Sequence, residues 1–503
     1  MSEIITVNTN LFAKYTDAET LKKIVKYPNF VTAWERSVQQ YASLTAIGDN
    51  GNEYTYAQLD EDAAYLRGTL LKNGVKKGDR VCVYAPSSYA FVKAFLAIVT
   101  LGAVAVLIPA HLDEKTLFGC TLKFGSKHIV YEASLKEKTA IAAAQGVCVI
   151  DADSEKVEKA AAVQGLTEKD PCCIVFTGGT TGKSKGALLS HGAVMSGITN
   201  GCLGFKEIFN ERYFLLIPLT HVFGLIRNLL TALYTGSMLY ICRNPKNMFK
   251  EMPVVKPTFL VIVPALAELI LTIAKQMGVG VTGGCLKYIV CGASAVSPHL
   301  VTEFNELGVC LLGGYGLTES ANLVCGNAES LRKPESVGLP YPNQQLKIVN
   351  GELWLKGDNM MDGYVGEPEE NALAYEDGWF KTGDLVRVDE EGFVYIVGRI
   401  KEVLVLDTGE KVSPQELEAK FCALDYLSDA MVYEDFSDSG RQILTLEVVP
   451  RVGCTVAAET INADLKAINA KLLPYERVSK IVIRDKDFDR TPAMKKIRIK
   501  KSK

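Results

Sequence analysis

The chain has 503 residues, of which 48% are hydrophobic and 22% are charged, as in an ordinary globular protein. Its 55 basic and 58 acidic residues leave a net charge of −3, so it lacks the basic surplus that nucleic-acid binders carry. Since single hydrophobic cores stop growing near about 250–300 residues, we expect two or more domains.

Targeting and redox signals favour a reduced, cytoplasmic protein. The first residues, MSEIITVNTNLFAKYTD, lack the basic and apolar regions of a secretory signal. The most apolar stretch, Phe214–Cys242, contains His221, Arg227 and Asn228, which argues against an integral membrane helix. The 13 cysteines are scattered without a CxxC pair and the five histidines form no cluster, so we expect neither disulfides nor a zinc site.

Apolar runs bounded by Gly, Pro or Asp alternate with helix-like segments over the first two thirds of the chain. One longer segment, Tyr89–Leu101, is predicted to be a helix. Five short runs are predicted to be buried strands: Arg80–Tyr84, Val104–Ile108, Cys172–Phe176, Leu286–Val290 and Val309–Leu312. Strands that alternate with helices predict an α/β fold with a mostly parallel sheet, although periodicity does not give the strand order.

The pattern changes near residue 340. Short strands separated by turn signals follow one another, which indicates a small β-rich subdomain: Gln345–Val349, Glu352–Lys356, Leu385–Asp389 and Phe393–Val397. A predicted helix, Pro414–Leu424, and two strands, Gln442–Val449 and Val478–Ile483, come after it. We therefore expect a large N-terminal α/β domain over 1–398, with parallel sheets and the β-rich subdomain, and an α+β C-terminal domain over 399–503.

The clearest chemical signal is the glycine-rich segment that follows the strand ending at Phe176. Glycines let backbone N–H groups turn inward, threonines donate hydrogen bonds and lysines neutralise charge, so the segment predicts a polyphosphate site. Its residues are Thr177, Gly178, Gly179, Thr180, Thr181, Gly182, Lys183, Ser184, Lys185 and Gly186.

A Walker A loop and a plain surface turn are the two other interpretations of this segment. A Walker A loop needs GxxxxGK[ST], and the first glycine of that pattern falls on Thr177, so the match fails by one residue. A plain surface turn explains the glycines but not the threonines and lysines among them.

This segment resembles the phosphate loop of the adenylate-forming superfamily, which includes acyl-CoA synthetases, peptide-synthetase adenylation domains and luciferases. Other motifs of that superfamily follow in the expected order. They are Pro218–Gly224 (PLTHVFG), Cys291–Ser294 (CGAS), Tyr315–Ser320 (YGLTES), Thr382–Leu385 (TGDL), Gly398–Lys401 (GRIK), Gly409–Glu418 (GEKVSPQELE) and Arg490–Lys495 (RTPAMK). With Tyr54–Leu59 and Gly78–Val81 near the start, the resemblance covers essentially the whole chain.

The resemblance implies a nucleotide site. Asp384 and Arg399 would hold the ribose, Thr318 would contact the α-phosphate, and Glu319 with Thr180 would hold Mg²⁺. Tyr315, between Gly314 and Gly316, would face the adenine. Lys185 and the loop residues Thr177 to Gly182 would hold the phosphates of ATP.

It also implies an acyl pocket and a mobile C-terminal domain. The pocket would be lined by His221, Val222, Phe223, Gly292, Ala293 and Ser294. Lys495 would be catalytic in the first half-reaction, and Lys401 would be the hinge about which the domain rotates. The sequence departs from the family motifs at three positions: Gly178 stands where serine is usual, Ser184 where proline is usual and Met494 where glycine is usual. Because of the last departure, Lys496 is an alternative to Lys495 as the catalytic lysine.

We therefore expect a fatty-acyl or aryl type of AMP-forming acyl-CoA synthetase. It would convert a small carboxylic acid and ATP into an acyl-adenylate and pyrophosphate, and then form a thioester with coenzyme A. A chain that ends at Lys503 without a fused carrier favours this acceptor over a carrier-protein phosphopantetheine, which is the alternative. Outside the acyl-CoA synthetase class, the alternative hypotheses are a P-loop NTPase and a degenerate nucleotide-binding regulator. We further expect a monomer or homodimer, and a monocarboxylate substrate because the predicted pocket residues include no cation.

Overall fold

A computed structural model describes residues 3–6, 12, 14–177, 185–407, 410–437, 441–451, 453–490 and 496–498. Three large sheets and two small ones hold the strands. In the described part of the chain, no helix is both long and apolar enough to cross a membrane.

The first sheet has seven strands, and five of them run parallel at its centre and one side. Antiparallel partners complete the other edge. In spatial order the strands are Gly363–Tyr364, Gly186–Ser190, Pro171–Phe176, Val104–Ile108, Arg80–Tyr84, His128–Tyr131 and Cys148–Asp151. The predicted phosphate loop therefore lies between two antiparallel neighbours, Pro171–Phe176 and Gly186–Ser190.

The second sheet has nine strands with a parallel centre and short antiparallel strands at both edges. In spatial order they are Leu339–Pro340, Cys325–Gly326, Cys310–Tyr315, Tyr288–Cys291, Phe259–Ile262, Arg212–Leu215, Met238–Ile241, Thr45–Asp49 and Asn52–Thr55. Parallel strands end at the same edge, so this sheet brings the segments after Ile262, Cys291 and Tyr315 together.

Helices cover both sheets and fill the space between them. Every residue of the helix Tyr89–Thr100 is buried, including Lys93, which agrees with its mostly apolar sequence. The α-helices of the large region are Ala18–Lys23, Phe30–Tyr41, Tyr56–Lys72, Tyr89–Thr100, Glu114–Phe124, Ala140–Ala144, His191–Gly201, Thr231–Tyr234, Met248–Val255, Pro264–Met277, Pro298–Glu306 and Pro368–Ala374. A π-helix, Phe223–Leu230, and 3₁₀ turns at Ala133–Thr139, Pro245–Asn247, Val279–Thr282, Thr318–Ser320 and Ile400–Glu402 complete it.

The third sheet has six antiparallel strands and forms the β-rich part of the fold. Its strands are Glu3–Thr6, Gln344–Val349, Glu352–Gly357, Tyr375–Glu376, Trp379–Val388 and Val394–Arg399. Trp379–Val388 is its longest strand and pairs with three others, so it crosses the sheet and carries the TGDL motif.

Residues 404–498, which we name the C-terminal unit, have a hydrophobic core of their own around Phe421, Leu446 and Leu465. Two small sheets belong to it: Leu404–Val405 with Lys411–Val412, and Leu427–Phe436 with Gln442–Pro450 and Lys480–Ile483. Its helices are Pro414–Phe421 and Ala458–Lys471, with a 3₁₀ turn at Pro474–Glu476. An ion pair of 3.1 Å between Arg451 and Glu303 joins the unit to the large region.

The predicted α/β fold class is confirmed, with its β-rich part and its α+β C-terminal unit. Arg80–Tyr84 and Val104–Ile108 have the predicted bounds. Other bounds differ: the predicted strand Leu385–Asp389 is the end of the longer Trp379–Val388, and the predicted strand Leu286–Val290 is Tyr288–Cys291. The expected parallel sheets are two in number, and each has antiparallel edges.

Candidate active site

The strand Cys310–Tyr315 leads into the site, and its last residue contacts the six-stranded sheet. The Tyr315 hydroxyl donates to Asp384 Oδ2 over 2.5 Å, and Arg399 Nε donates to Asp384 Oδ1 over 2.6 Å. Asp384 is only 2% exposed, so its charge is buried but paired on both oxygens. Three predicted nucleotide residues from distant parts of the sequence thus form one cluster.

Local structure in the six-stranded sheet places this carboxylate. Asp384 and Arg399 are direct partners of neighbouring antiparallel strands. Thr382 Oγ1 donates to the Leu353 carbonyl over 2.7 Å and accepts from the Asp384 N–H over 3.0 Å. The threonine of the TGDL motif therefore orients the aspartate that follows it.

Burial and charge shift the pKa values in this cluster. Burial raises the pKa of Tyr315 well above its ordinary value, and the Asp384 carboxylate adds to that effect. Burial lowers the pKa of Arg399, but Asp384 outweighs it and the net direction is upward. Tyr315 stays a neutral donor and Arg399 a cation, so the hydrogen bonds to Asp384 persist at neutral pH.

A tight turn after Tyr315 presents Thr318 and Glu319. Gly316 is required there, because an added Cβ would lie 1.2 Å from the Asn322 carbonyl oxygen. The Ser320 hydroxyl accepts from the Leu317 N–H over 3.0 Å, and Asn359 Nδ2 donates to the Ser320 carbonyl over 2.7 Å. The turn is thus held from inside and from the loop that carries Asn359.

Glu319 is connected to the end of the phosphate loop through Tyr364. The Tyr364 hydroxyl donates to Glu319 Oε1 over 2.7 Å, and the Lys185 ammonium lies 4.9 Å from the centre of the Tyr364 ring. Lys185 also forms an ion pair with Glu370, which lowers the pKa of the Glu370 carboxyl. This chain brings the predicted phosphate and metal residues to one place.

The base of the phosphate loop is closed by a backbone hydrogen bond from the Thr177 N–H to the Lys185 carbonyl, over 2.8 Å. The predicted loop residues Gly178, Gly179, Thr180, Thr181 and Gly182 lie outside the described residues. Thr180, as a metal residue, therefore stays a prediction.

The predicted acyl-pocket motifs meet beside the nucleotide cluster. A Cβ added at Gly292 would lie 3.4 Å from the Gly314 oxygen and 3.5 Å from the Phe223 ring, which places three motifs in contact. Gly224 lets the start of the π-helix pack against the segment that precedes it, because a Cβ at this position would lie 2.2 Å from the Pro218 carbonyl oxygen.

The remaining predicted pocket residues differ in exposure. Val222 is buried, while His221 and Phe223 are half-buried at the start of the π-helix. Ala293 and Ser294 are exposed, and Ala293 has a left-handed φ of 66°. The glycine–alanine turn therefore lies at the rim of the predicted pocket.

The C-terminal predictions are only partly described. Lys401 is exposed in the 3₁₀ turn Ile400–Glu402. Lys495 lies outside the described residues. Its neighbour Lys496 is bound inside the C-terminal unit, 2.8 Å from Asp429 and 3.4 Å from Glu418, and so does not face the nucleotide cluster.

Known proteins that resemble this chain identify its family. The model of the family described as AMP-binding enzyme matches residues 34–365. Feruloyl-CoA synthase of Amycolatopsis sp is 28% identical over 401 residues, which cover 76% of this chain and 81% of the relative. The 4-coumarate–CoA ligase-like 6 of Arabidopsis thaliana is also 28% identical, in an alignment that covers 82% of this chain and 78% of the relative.

Solved structures share the fold. The anthranilate CoA ligase AuaEII in complex with anthranoyl-AMP superposes with a TM-score of 0.81 at 20% identity, covering 94% of this chain and 96% of that one. ATP-bound MatB from Rhodopseudomonas palustris gives a TM-score of 0.79 at 24% identity, with 92% and 96% covered.

The matched family model spans more than half of the chain, and the chain therefore belongs to the AMP-binding enzyme family. The predicted membership of the adenylate-forming superfamily is confirmed.

Several residues of the site were missed by sequence reasoning. Tyr364, Asn359 and Glu370 lie in segments that none of the recognised motifs covers, and each acts through a contact distant in sequence. No local pattern in the sequence signals these contacts.

Proposed function

We propose that the residue cluster Tyr315, Asp384 and Arg399 binds the nucleoside of ATP while the enzyme converts a carboxylic acid into an acyl-adenylate and then into its CoA thioester. The enzyme class itself follows from the family match and the named relatives: an AMP-forming acid–thiol ligase that uses ATP and coenzyme A. Mg²⁺ as the metal ion is part of the proposal. The buried Asp384, paired on both oxygens, is the observation that carries the residue assignments.

Asp384 is suited to bind ribose hydroxyls. A carboxylate offers about four lone-pair sites, and Tyr315 and Arg399 use two of them. The remaining sites accept from the two ribose hydroxyls, as an acidic residue does in other nucleotide sites. The Tyr315 ring, beside Gly314 and Gly316, provides a flat face for the adenine.

The phosphates lie, in this proposal, between Lys185, Thr318 and the loop that starts at Thr177. Tyr364 occupies one oxygen of Glu319 and leaves the other oxygen to a cation, which fits Mg²⁺ because this ion uses few carboxylates and keeps several waters. Bound there, Mg²⁺ would neutralise charge on the phosphates. Thr180 is the second metal residue in this proposal.

Both reactants of the first half-reaction are anions, so charge neutralisation and alignment dominate its barrier. Lys185 and Lys495 are the proposed cations, with Lys495 between the acyl carboxylate and the α-phosphate. The acid lies along Phe223 and Gly292 with His221 and Val222, and with Ala293 and Ser294 at the rim. Feruloyl-CoA synthase and the 4-coumarate–CoA ligase-like relative are named for aryl acids, which favours an acid of that size.

We further propose that the boundary between the two domains lies at residues 398 and 399, and that residues 399–503 rotate about Lys401 between the half-reactions. The separate hydrophobic core of the C-terminal unit and the exposure of Lys401 support this. Rotation would let Lys495 serve the first half-reaction and leave room for the thiol in the second.

Cytoplasmic location and a monomeric or homodimeric state are also proposals. All 13 cysteines are free thiols, which suits a reducing compartment. Mass measurement in solution tests the oligomeric state.

Product analysis over a panel of acids tests the function. We expect acid-dependent AMP and pyrophosphate, with thioester only when coenzyme A is added. Thioester on carrier phosphopantetheine but not on coenzyme A would favour the alternative acceptor, and ADP with phosphate would contradict the proposal.

A further inference from the structure

Arg227 carries a buried positive charge that the proposed reaction does not use. It lies in the π-helix Phe223–Leu230 and is 1% exposed. Neither Nη1 nor Nη2 has a hydrogen-bond partner, and no carboxylate pairs with it among the residues that the structure describes. A buried guanidinium without an acceptor is costly, because the charge has lost its water and gained no partner.

The surroundings of Arg227 stabilise a cation only weakly. Its guanidinium lies 5.3 Å from the Phe205 ring centre and 5.1 Å from that of Phe259. The Tyr213 hydroxyl is close enough to Arg227 for hydrogen bonding to contribute to its pKa, but no hydrogen bond of standard length and angle joins the two within the described residues. Burial raises the pKa of Tyr213, and the charge of Arg227 opposes that shift.

A second unpaired side chain follows directly. Asn228 is fully buried, and neither its Oδ1 nor its Nδ2 has a hydrogen-bond partner within the described chain. Buried polar groups are nearly always paired, so two unpaired neighbours single out this place as a candidate for binding a polar group. Both side chains carry N–H donors, which suit an anion.

The position of these groups relates them to the proposed acyl pocket. Hydrogen bonds of a π-helix span five residues, so the positions four and five after Phe223 return to its face of the helix. Phe223 contacts the Gly292 turn at the active-site end, and Arg227 and Asn228 lie one turn deeper.

The strand Phe259–Ile262 gives a measure of this depth. Gly292 donates its N–H to the carbonyl of Ile262, at one end of the strand, while Arg227 lies over Phe259 at the other end. Three residue steps of a strand span about 10 Å. That span matches the two ends of a medium-chain dicarboxylic acid or of an aryl acid with a second acidic group.

We propose that Arg227, assisted by Asn228, binds a second carboxylate at the far end of the acid, so that the preferred substrates are acids with two carboxylates. This inference rests on the proposed acyl pocket. A guanidinium presents paired N–H donors that match a carboxylate in two-point contact. The expectation of a monocarboxylate considered only the motif residues and left out Arg227, which the sequence shows merely as an interruption of an apolar run.

Matched acid pairs test the proposal: octanoate with suberate, hexanoate with adipate, and benzoate with terephthalate. Acid-dependent AMP formation is measured for the unmodified enzyme and for Arg227→Met, which keeps length and removes the charge. We expect the dicarboxylate of at least one pair to be favoured by about 10²-fold or more in kcat/KM, since sites that bind a polar group reject analogues that lack it.

In Arg227→Met we expect kcat/KM for that dicarboxylate to fall by about 10²–10³-fold and the monocarboxylate to be favoured instead. Arg227→Lys keeps the charge and should keep part of the preference. Arg67→Met is the matched control, because Arg67 is equally buried but donates to Ala160 and Thr100, and its loss should leave the ratio unchanged.

The outcomes separate this proposal from the one it rests on. Activity of the unmodified enzyme with monocarboxylates in preference to every dicarboxylate would overturn the role of Arg227 and leave the proposed function intact, even if the variants do not fold. Absence of acid-dependent AMP with either class would overturn both. A ratio that Arg227→Met leaves unchanged would also overturn the role of Arg227.

Discussion

The Tyr364 hydroxyl donates to the Glu319 carboxylate over 2.7 Å and thereby joins two sheets at the candidate active site. Tyr364 is in the edge strand of the seven-stranded sheet, while Glu319 comes shortly after Cys310–Tyr315, a strand of the nine-stranded sheet. Burial and the Glu319 charge both raise the pKa of Tyr364, so it remains a donor at neutral pH. The bond fixes one oxygen of Glu319 and so sets where a cation can bind the other.

Replacing Tyr364 with phenylalanine should lower kcat for AMP formation by about tenfold, because a hydrogen bond to a charged group contributes about 1.5–3 kcal/mol. The requirement for Mg²⁺ should rise in the same variant. Tyr375→Phe is the matched control, since its hydroxyl donates nearby to the Met361 carbonyl over 2.9 Å. Equal effects of both changes would argue against a special role for Tyr364.

Asp384→Asn should lower kcat/KM for ATP by about 10²–10³-fold, as loss of a preorganised polar contact commonly does. The change also leaves Arg399 without its carboxylate, so the unfolding free energy should fall by about 1–3 kcal/mol. Asp389→Asn serves as control, because Asp389 pairs with Lys333 at 2.7 Å outside the nucleotide cluster. An unchanged KM for ATP in Asp384→Asn would refute the ribose assignment.

Lys495→Ala should slow adenylate formation by about 10²–10³-fold and leave most thioester formation from supplied acyl-adenylate. Single-turnover measurements of the two half-reactions separate these effects. Lys496→Ala should lower stability through its lost contact with Asp429 but leave adenylate formation nearly unchanged. If both half-reactions of Lys495→Ala slowed equally, the proposed rotation would be wrong.

His191 should make stability depend on pH in the mildly acidic range. Burial lowers the pKa of His191 from 6.5 to about 4, so the unfolded chain binds a proton at a higher pH than the folded one. The contribution of His191 to the free energy of unfolding is complete above pH 6.5 and is lost as the pH falls from there to about 4. The free energy lost over this range is about 3 kcal/mol.

Denaturant unfolding of the unmodified protein and of His191→Gln at pH 7 and pH 4.5 checks this. The variant should be the less stable protein at pH 7, where the buried imidazole accepts the Phe30 N–H over 3.3 Å. Its deficit should shrink at pH 4.5. A deficit that is the same at both values would contradict the pKa direction.

Local patterns were sufficient for the buried strands. Arg80–Tyr84 and Val104–Ile108 are short, mostly apolar runs with Gly, Asp or Pro close to both ends, and their bounds follow from the sequence. Trp379–Val388 was cut short in the prediction because its length depends on ladder partners that are distant in sequence, such as Glu352–Gly357. The division into two sheets depends on the same kind of pairing.

The candidate site divides in a similar way. Asp384, Arg399, Tyr315 and Glu319 were predicted because motifs carry them, and three of these form one cluster in the structure. Their connection to Lys185 through Tyr364 could not be predicted, since it depends on how two sheets approach each other. Arg227 was not predicted as a site residue, because what distinguishes it is its burial without a hydrogen-bond partner for Nη1 and Nη2 among the described residues, which the sequence does not reveal.

The ion pair between Arg451 and Glu303 has a consequence for how the enzyme responds to its solvent. A C-terminal unit that rotates must break this contact, and Lys275, 2.5 Å away, is then the one ion-pair partner of Glu303 among the described residues. Salt weakens partly exposed charge pairs, with a Debye length of about 8 Å at physiological ionic strength. Ionic strength would therefore shift the balance between the two half-reactions without any change in ATP or acid.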